Sequence, residues 1–242
     1  MTERRDSSEI PIDVGAHGRT RAIVYPADAG GAASTLMLAH GAGAGQQSPF
    51  MTSFARALAA RGVDVVTFNF LYIEQRRKVP DRAPVLEATY LAAIDAVRGR
   101  VESARRSLFI GGKSMGGRIA TQVAAASESL PIAGLVLLGY PLHPPGRPDQ
   151  RRDRHLPSIR SPLLFIQGSR DAFGTPEELK PIAAALGAKA TLHQIDRGDH
   201  SFKVSGAGAA AQAAVYEGIQ RTIASWMAAV TGTSAPERRR SR

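Results

Sequence analysis

The sequence has no cysteine. That excludes disulfides, thiolate metal sites and a cysteine nucleophile, and the fold must rest on packing alone, which suits a reducing, cytoplasmic compartment. No apolar run approaches the roughly 18–20 residues that would span a bilayer. The first residues, MTERRDSSEI, carry charge but no apolar stretch, so they do not read as a secretory signal, and no membrane association is expected. Acidic residues are in deficit: 21 Asp and Glu stand against 31 Lys and Arg, a net charge of +10. Such an excess can mark a nucleic-acid partner, but its distribution argues otherwise. One part lies in the tail (Arg238, Arg239, Arg240, Arg242), another in the proline-rich stretch 147–160. Neither is interleaved with the aromatics of a single-strand binder, and solvated charge accounts for both. The oligomeric state is not encoded in any feature of the sequence.

At 242 residues the chain is long enough for one large α/β core. A single domain is expected over 7–230, with 231–242 a disordered basic tail. Short apolar runs read as buried strands at 35–39, 63–70, 108–111, 134–139, 163–167 and 191–196. All but the last are mostly continuous rather than alternating, which implies cover on both faces. Helical stretches fall at 49–61, 84–105, 115–127, 176–186 and 207–229. Pro49, Pro84 and Pro176 stand near helix starts, where a missing N–H costs little. This alternation predicts an α/β fold, a mostly parallel central sheet with helices on both faces. Segments 10–14 and 21–25 flank the turn GAHG and predict an N-terminal antiparallel hairpin at one sheet edge. The one long non-helical stretch, 140–162, would lie at the C-terminal rim of the sheet, where open α/β sheets bind ligands.

The strongest motif is Gly112-Lys113-Ser114-Met115-Gly116, a G-x-S-x-G. It follows the strand LFIG and precedes the helix RIATQVAAAS, the context of a nucleophile elbow. There a sharp turn lifts the serine hydroxyl above the sheet, and glycines two before and two after remove side chains that would collide. A glycine-rich helix start with an N-cap serine is the plainer explanation of the same string. A phosphate-binding loop would need glycine at Ser107, so that alternative fails.

A serine hydroxyl needs a positioned base. Of the 6 histidines, only His193 and His200 lie beyond a suitable acid and near a late strand. His193 falls within the strand; His200, in RGDHSF, falls on the rim loop after it and is the expected base. Asp171, in QGSRDAFG, follows the preceding strand on the same rim and is the expected acid, orienting the imidazole and stabilising its cation. Asp196 and Asp199 compete, the first too near in sequence to reach the ring's far nitrogen, the second better suited to turning the loop. An oxyanion hole would take one N–H from Met115 and another from the loop His40-Gly41-Ala42-Gly43-Ala44-Gly45, with Ala42 the expected donor and Gly43 the alternative. His40 reads as a structural brace.

On these residues the chain resembles the α/β-hydrolase superfamily near its dienelactone-hydrolase branch. More narrowly, it is similar to the hydrolase-like family named after a testis-expressed protein and a regulatory subunit of a chromatin acetyltransferase complex. The segments LAHGAGAG, FNFLYIEQRR, PDRAPVLE, GGKSMGGRIA, GYPLHPPGRP, QGSRDAFG and GDHSF carry the resemblance. It implies the α/β-hydrolase fold, no cofactor, no metal, and the site residues as assigned above. Dienelactone hydrolases proper use cysteine where this chain has Ser114.

The substrate pocket is expected from the rim loops 71–84 and 140–162, with Gly43, Tyr140 and His143 as substrate contacts. An arginine facing the serine would favour an acidic substrate. The resulting expectation is a serine hydrolase cleaving a small ester or related acyl compound through an acyl-enzyme. The alternative is a non-catalytic scaffold of the same fold that binds a protein partner.

Overall fold

The computed structural model describes residues 7–28 and 31–233. Strands β1 (Ser8–Asp13) and β2 (Arg19–Tyr25) form the expected antiparallel hairpin, in register from Ser8 opposite Val24 to Asp13 opposite Arg19. β2 then runs antiparallel to β4 (Asp64–Phe68). From there β4, β3 (Thr35–Ala39), β5 (Leu108–Lys113), β6 (Gly134–Leu138), β7 (Leu163–Gly168) and β8 (Ala190–Ile195) are parallel. The sheet has 8 strands in the order β1-β2-β4-β3-β5-β6-β7-β8. The predicted α/β architecture is therefore present, with the hairpin at one edge.

The unbroken apolar runs mark the central strands because successive side chains there enter opposite cores. Met37, Val66, Ile110 and Leu137 pack on one face with Tyr90 and Ile94 of α3 (Ala83–Arg100) and Ile119 of α5 (Met115–Ala126). Leu36, Leu38, Phe109 and Val136, one residue out of step, pack on the other face with Phe54 and Leu58 of α1 (Pro49–Ala59) and Ile223 of α7 (Ala209–Thr231). Full burial of each such Leu, Ile or Phe contributes about 1.5–3 kcal/mol. The prolines stand in the first turns of α1, α3 and α6 (Pro176–Leu186).

Three connections differ from the sequence reading. Segment 84–105 is two helices: α3 ends and α4 (Glu102–Arg106) begins at Val101, which takes extended backbone and buries its side chain. Arg105 Nε donates to the freed carbonyl of Arg98 at 2.9 Å, which makes the break tolerable. Segment 71–84 contains a single helical turn, α2 (Leu71–Glu74), and segment 140–162 a 3-10 turn at Leu156–Ser158. At the other end α7 runs through Thr231, and Gly232 closes it in the left-handed conformation. Of the expected disordered tail, residues 234–242 lie outside the described residues. Among the described residues, no helix is long and apolar enough to cross a membrane.

Candidate active site

Ser114 occupies the turn between β5 and α5 with φ 51° and ψ −115°, a conformation that L residues rarely hold. The surroundings over-determine it. Its N–H donates to the carbonyl of Leu138 at 2.9 Å, and its carbonyl accepts from Arg118. The flanking glycines admit the turn for a measurable reason. A β-carbon on Gly112 would lie 2.4 Å from the Ala39 carbonyl oxygen, and one on Gly116 would lie 2.5 Å from the same atom. The hydroxyl of Tyr90 secures the strand beneath, donating to the Gly111 carbonyl at 2.7 Å and accepting from its N–H at 2.9 Å.

The structure brings Asp171, His200 and Ser114 into one hydrogen-bonded chain. His200 Nε2 is 2.8 Å from Ser114 Oγ, and Nδ1 is 2.7 Å from Asp171 Oδ2. A carboxylate only accepts, so Nδ1 carries the proton and Nε2 presents its lone pair to the serine hydroxyl. Asp171 is buried on the turn after β7, where its Oδ1 accepts from Phe173 N–H at 2.8 Å and its Oδ2 from Gln167 Nε2 at 2.9 Å. The Phe173 ring lies 4.2 Å from the imidazole, centroid to centroid, and limits its rotation. The competing residues are placed elsewhere. Asp199 turns the loop, its Oδ1 accepting from the N–H groups of Ser201 and Lys203. Asp196 is exposed beside Arg197. His193 stays within β8 opposite Ile166.

The expected oxyanion donors flank this chain. Met115 is the first residue of α5, so its N–H has no carbonyl one turn earlier to bind. Ala42 and Gly43 line the cavity beside Ser114. The glycine loop is held by two residues that sequence reasoning missed: Tyr72, whose hydroxyl donates to the Ala42 carbonyl at 2.9 Å, and Asn69, whose Oδ1 accepts from Gln46 N–H at 2.8 Å. Both lie in FNFLY, whose apolar character hides their polar work. His40 is the brace the sequence suggested. Its Nε2 accepts from Phe70 N–H at 3.1 Å, so the proton sits on Nδ1 and is donated to the Gly41 carbonyl at 2.7 Å. Burial pulls its pKa down to about 4 and keeps it neutral.

Ser114 and His200 open into a cavity of about 780 Å³. Its apolar wall is Phe50, Met51 and Phe54 of α1, Phe173, and Tyr216 of α7; Ser53, Lys113 and Lys203 supply polar points. This corrects the expected pocket. Tyr140 and His143 do not line it. Tyr140 is fully buried with its hydroxyl on the Arg152 carbonyl at 2.6 Å, and His143 bonds Glu178 at 3.0 Å. The reason is the side of the sheet. The 140–162 loop folds over α5, where His155 Nε2 meets Thr121 Oγ1 at 2.8 Å, whereas the cavity lies on the α1 and α7 side. Residues 71–84 do not line the cavity either, and Arg76, Arg77, Lys78 and Arg82 are exposed. The arginines of both loops thus stand away from the serine. Among the described residues, no group of three His, Asp or Glu is arranged to hold a metal ion.

A parallel sheet with a strained serine between strand and helix defines a recognisable class. The profile of the family described as alpha/beta hydrolase domain matches residues 32–228, and the chain belongs to that family. Solved structures of similar fold include an α/β serine hydrolase without lid from Xanthomonas campestris, with a TM-score of 0.70 and 21% identity over 93% of this chain and 97% of that one. A dienelactone hydrolase from Anabaena variabilis gives 0.70 and 20%, over 90% and 97% of the two chains. An esterase domain from a Rhodothermus marinus protein gives 0.68 and 15%, over 92% and 98%. At these identities the likeness is one of fold.

Proposed function

We propose that the protein is a serine hydrolase that cleaves a small ester or related acyl compound, such as a thioester. The observation that carries this reading is the continuous chain from Asp171 through His200 to Ser114, ending at an apolar cavity of a size suited to a small ligand. Ser114 Oγ attacks the carbonyl carbon while His200 Nε2 takes its proton. The carbonyl oxygen becomes an oxyanion held by the N–H groups of Met115 and Ala42. His200 returns the proton to the leaving group as the bond to the acyl carbon breaks. Water then attacks the acyl-enzyme by the reverse path and restores Ser114. Asp171 keeps the imidazole in the required tautomer. The aromatic wall favours an uncharged acyl group over an acidic one.

The same proposal takes residues 7–230 as one catalytic domain working in the cytoplasm without cofactor. It also includes the narrower kinship with the hydrolase-like family named after a testis-expressed protein, supported by the segments quoted above.

The test is labelling with a fluorophosphonate probe alongside hydrolysis of p-nitrophenyl butyrate. The wild type is expected to label and turn over, Ser114→Ala to do neither, and His200→Ala to lose at least about 10³-fold in kcat. A folded wild type that neither labels nor hydrolyses any of a panel of acyl esters overturns the reading and leaves the scaffold alternative in its place.

A further inference from the structure

The reaction described above makes no use of Lys113, although this side chain reaches from the nucleophile to the base. Its stem follows the cavity wall, where a β-carbon on Gly41 would lie 3.8 Å from Lys113 Cγ. The ammonium donates to the His200 carbonyl at 2.5 Å, with the centre of the Phe202 ring 5.6 Å away. Gly139 leaves the space this requires. A β-carbon there would lie 3.0 Å from Lys113 Nζ and 3.3 Å from His200 Nδ1, so ammonium and imidazole border the same small gap. The head group therefore lies against the base.

We propose that Lys113 is a positioning residue whose charge, held against His200, opposes protonation of the imidazole and keeps it available as a base at mildly acidic pH. Its bond to the His200 carbonyl also anchors the loop that aims the ring. The kinetic consequence rests on the serine-hydrolase reading; the electrostatic relation does not. The direction follows from Coulomb's law: a fixed cation makes a second cation beside it more costly and lowers the pH at which the ring takes a proton. Asp171, which receives Nδ1–H, acts in the opposite sense, and Lys113 offsets it.

The groups around the pair are few. Asp171 from the turn after β7 and Asp199 from the turn after β8 are the carboxylates whose charge reaches Lys113. Lys203 and Tyr216 are the other ionisable side chains on the cavity wall, and His40 at the end of β3 is held neutral. Burial pulls Lys113 down to about 8 against the pull of those two carboxylates. It therefore still carries its charge through the range near 6.5 in which an imidazole ordinarily titrates.

The experiment is a histidine titration followed by NMR on the full chain with ¹⁵N-labelled histidine, His200 being assigned by the signal lost in His200→Gln. Lys113→Gln removes the charge and keeps a donor; Lys113→Arg keeps the charge. The midpoint of His200 is expected to rise by about one pH unit in Lys113→Gln and to stay near the wild-type value in Lys113→Arg. The acid limb of kcat/KM for p-nitrophenyl butyrate should move with it. An unchanged midpoint in a folded Lys113→Gln overturns the proposal, even if activity falls, because a purely structural anchor would lower activity without moving the titration. If Lys113→Gln fails to fold, Lys113→Met, which retains the stem, gives the same comparison. Since the titration needs no turnover, a chain that hydrolyses nothing still yields this result, and the two readings fail separately.

Discussion

Gln167, the penultimate residue of β7, holds Asp171, its Nε2 donating to Asp171 Oδ2 at 2.9 Å. The same amide bonds the Gly174 carbonyl at 2.6 Å, while its Oε1 accepts from Tyr140 N–H at 2.8 Å. One fully buried side chain thus ties the turn after β6 to the turn that carries the acid. Neither Gln167 nor Asp171 lines the cavity, and both connect to it through His200.

Gln167→Leu is expected to leave several buried polar groups without partners, at about 1–3 kcal/mol for each group that cannot recover one. Urea denaturation should show a loss of about 3 kcal/mol in total, since such terms do not add fully. At a temperature where the variant remains folded, kcat for p-nitrophenyl butyrate should fall with KM unchanged. A change confined to KM would mean that Gln167 does not act through the acid.

His40 makes a second prediction, on stability against pH. Its folded pKa of about 4 lies below the ordinary 6.5, so the folded state holds fewer protons on this ring than the unfolded state. The stabilisation is complete above pH 6.5 and is lost as pH falls from there through about 4. By linkage the whole effect is about 3 kcal/mol. His40→Gln removes the titration, so its unfolding free energy should change less between pH 6.5 and 4.5 than that of the wild type. Parallel curves for the two proteins would show that His40 titrates alike in both states.

On the proposed function, the cavity beside Ser114 takes the acyl chain. Ser53 lies on α1 facing the cavity among Phe50, Met51 and Phe54. Ser53→Phe fills space that a longer acyl chain would use. The ratio of kcat/KM for p-nitrophenyl hexanoate to that for the acetate is expected to fall about tenfold. An unchanged ratio would place the acyl chain elsewhere.

The parallel core was legible because continuous apolar runs such as TLMLA and GLVLL have only one economical placement, between two helical layers. Ser114, Asp171 and His200 were legible because each follows a strand end, and strand ends of a parallel sheet share one rim. The pocket walls were not. Phe50 and Phe54 stand at helical spacing on α1, and Tyr216 falls within the separate helical pattern of α7, whether these rings face the core or a cavity, and periodicity cannot separate the two. The 140–162 loop misled for a related reason: its place on the rim was readable, but the face over which it folds depends on the contact of His155 with Thr121, which is tertiary. Gln167 ends an apolar run as a strand-terminal residue might anywhere, and only the proximity of Tyr140, Asp171 and Gly174 reveals its function.

The cavity is closed by pieces far apart along the chain. Phe50 and Phe54 come from α1 and Tyr216 from α7, while Ser114 stands between them in sequence and His200 follows it by 86 residues. On the ribosome, the Ser114 hydroxyl is therefore made long before its hydrogen-bond partner His200, and Tyr216 comes later still. A chain cut short before residue 200 carries the Ser114 hydroxyl without the imidazole that it meets in the folded protein.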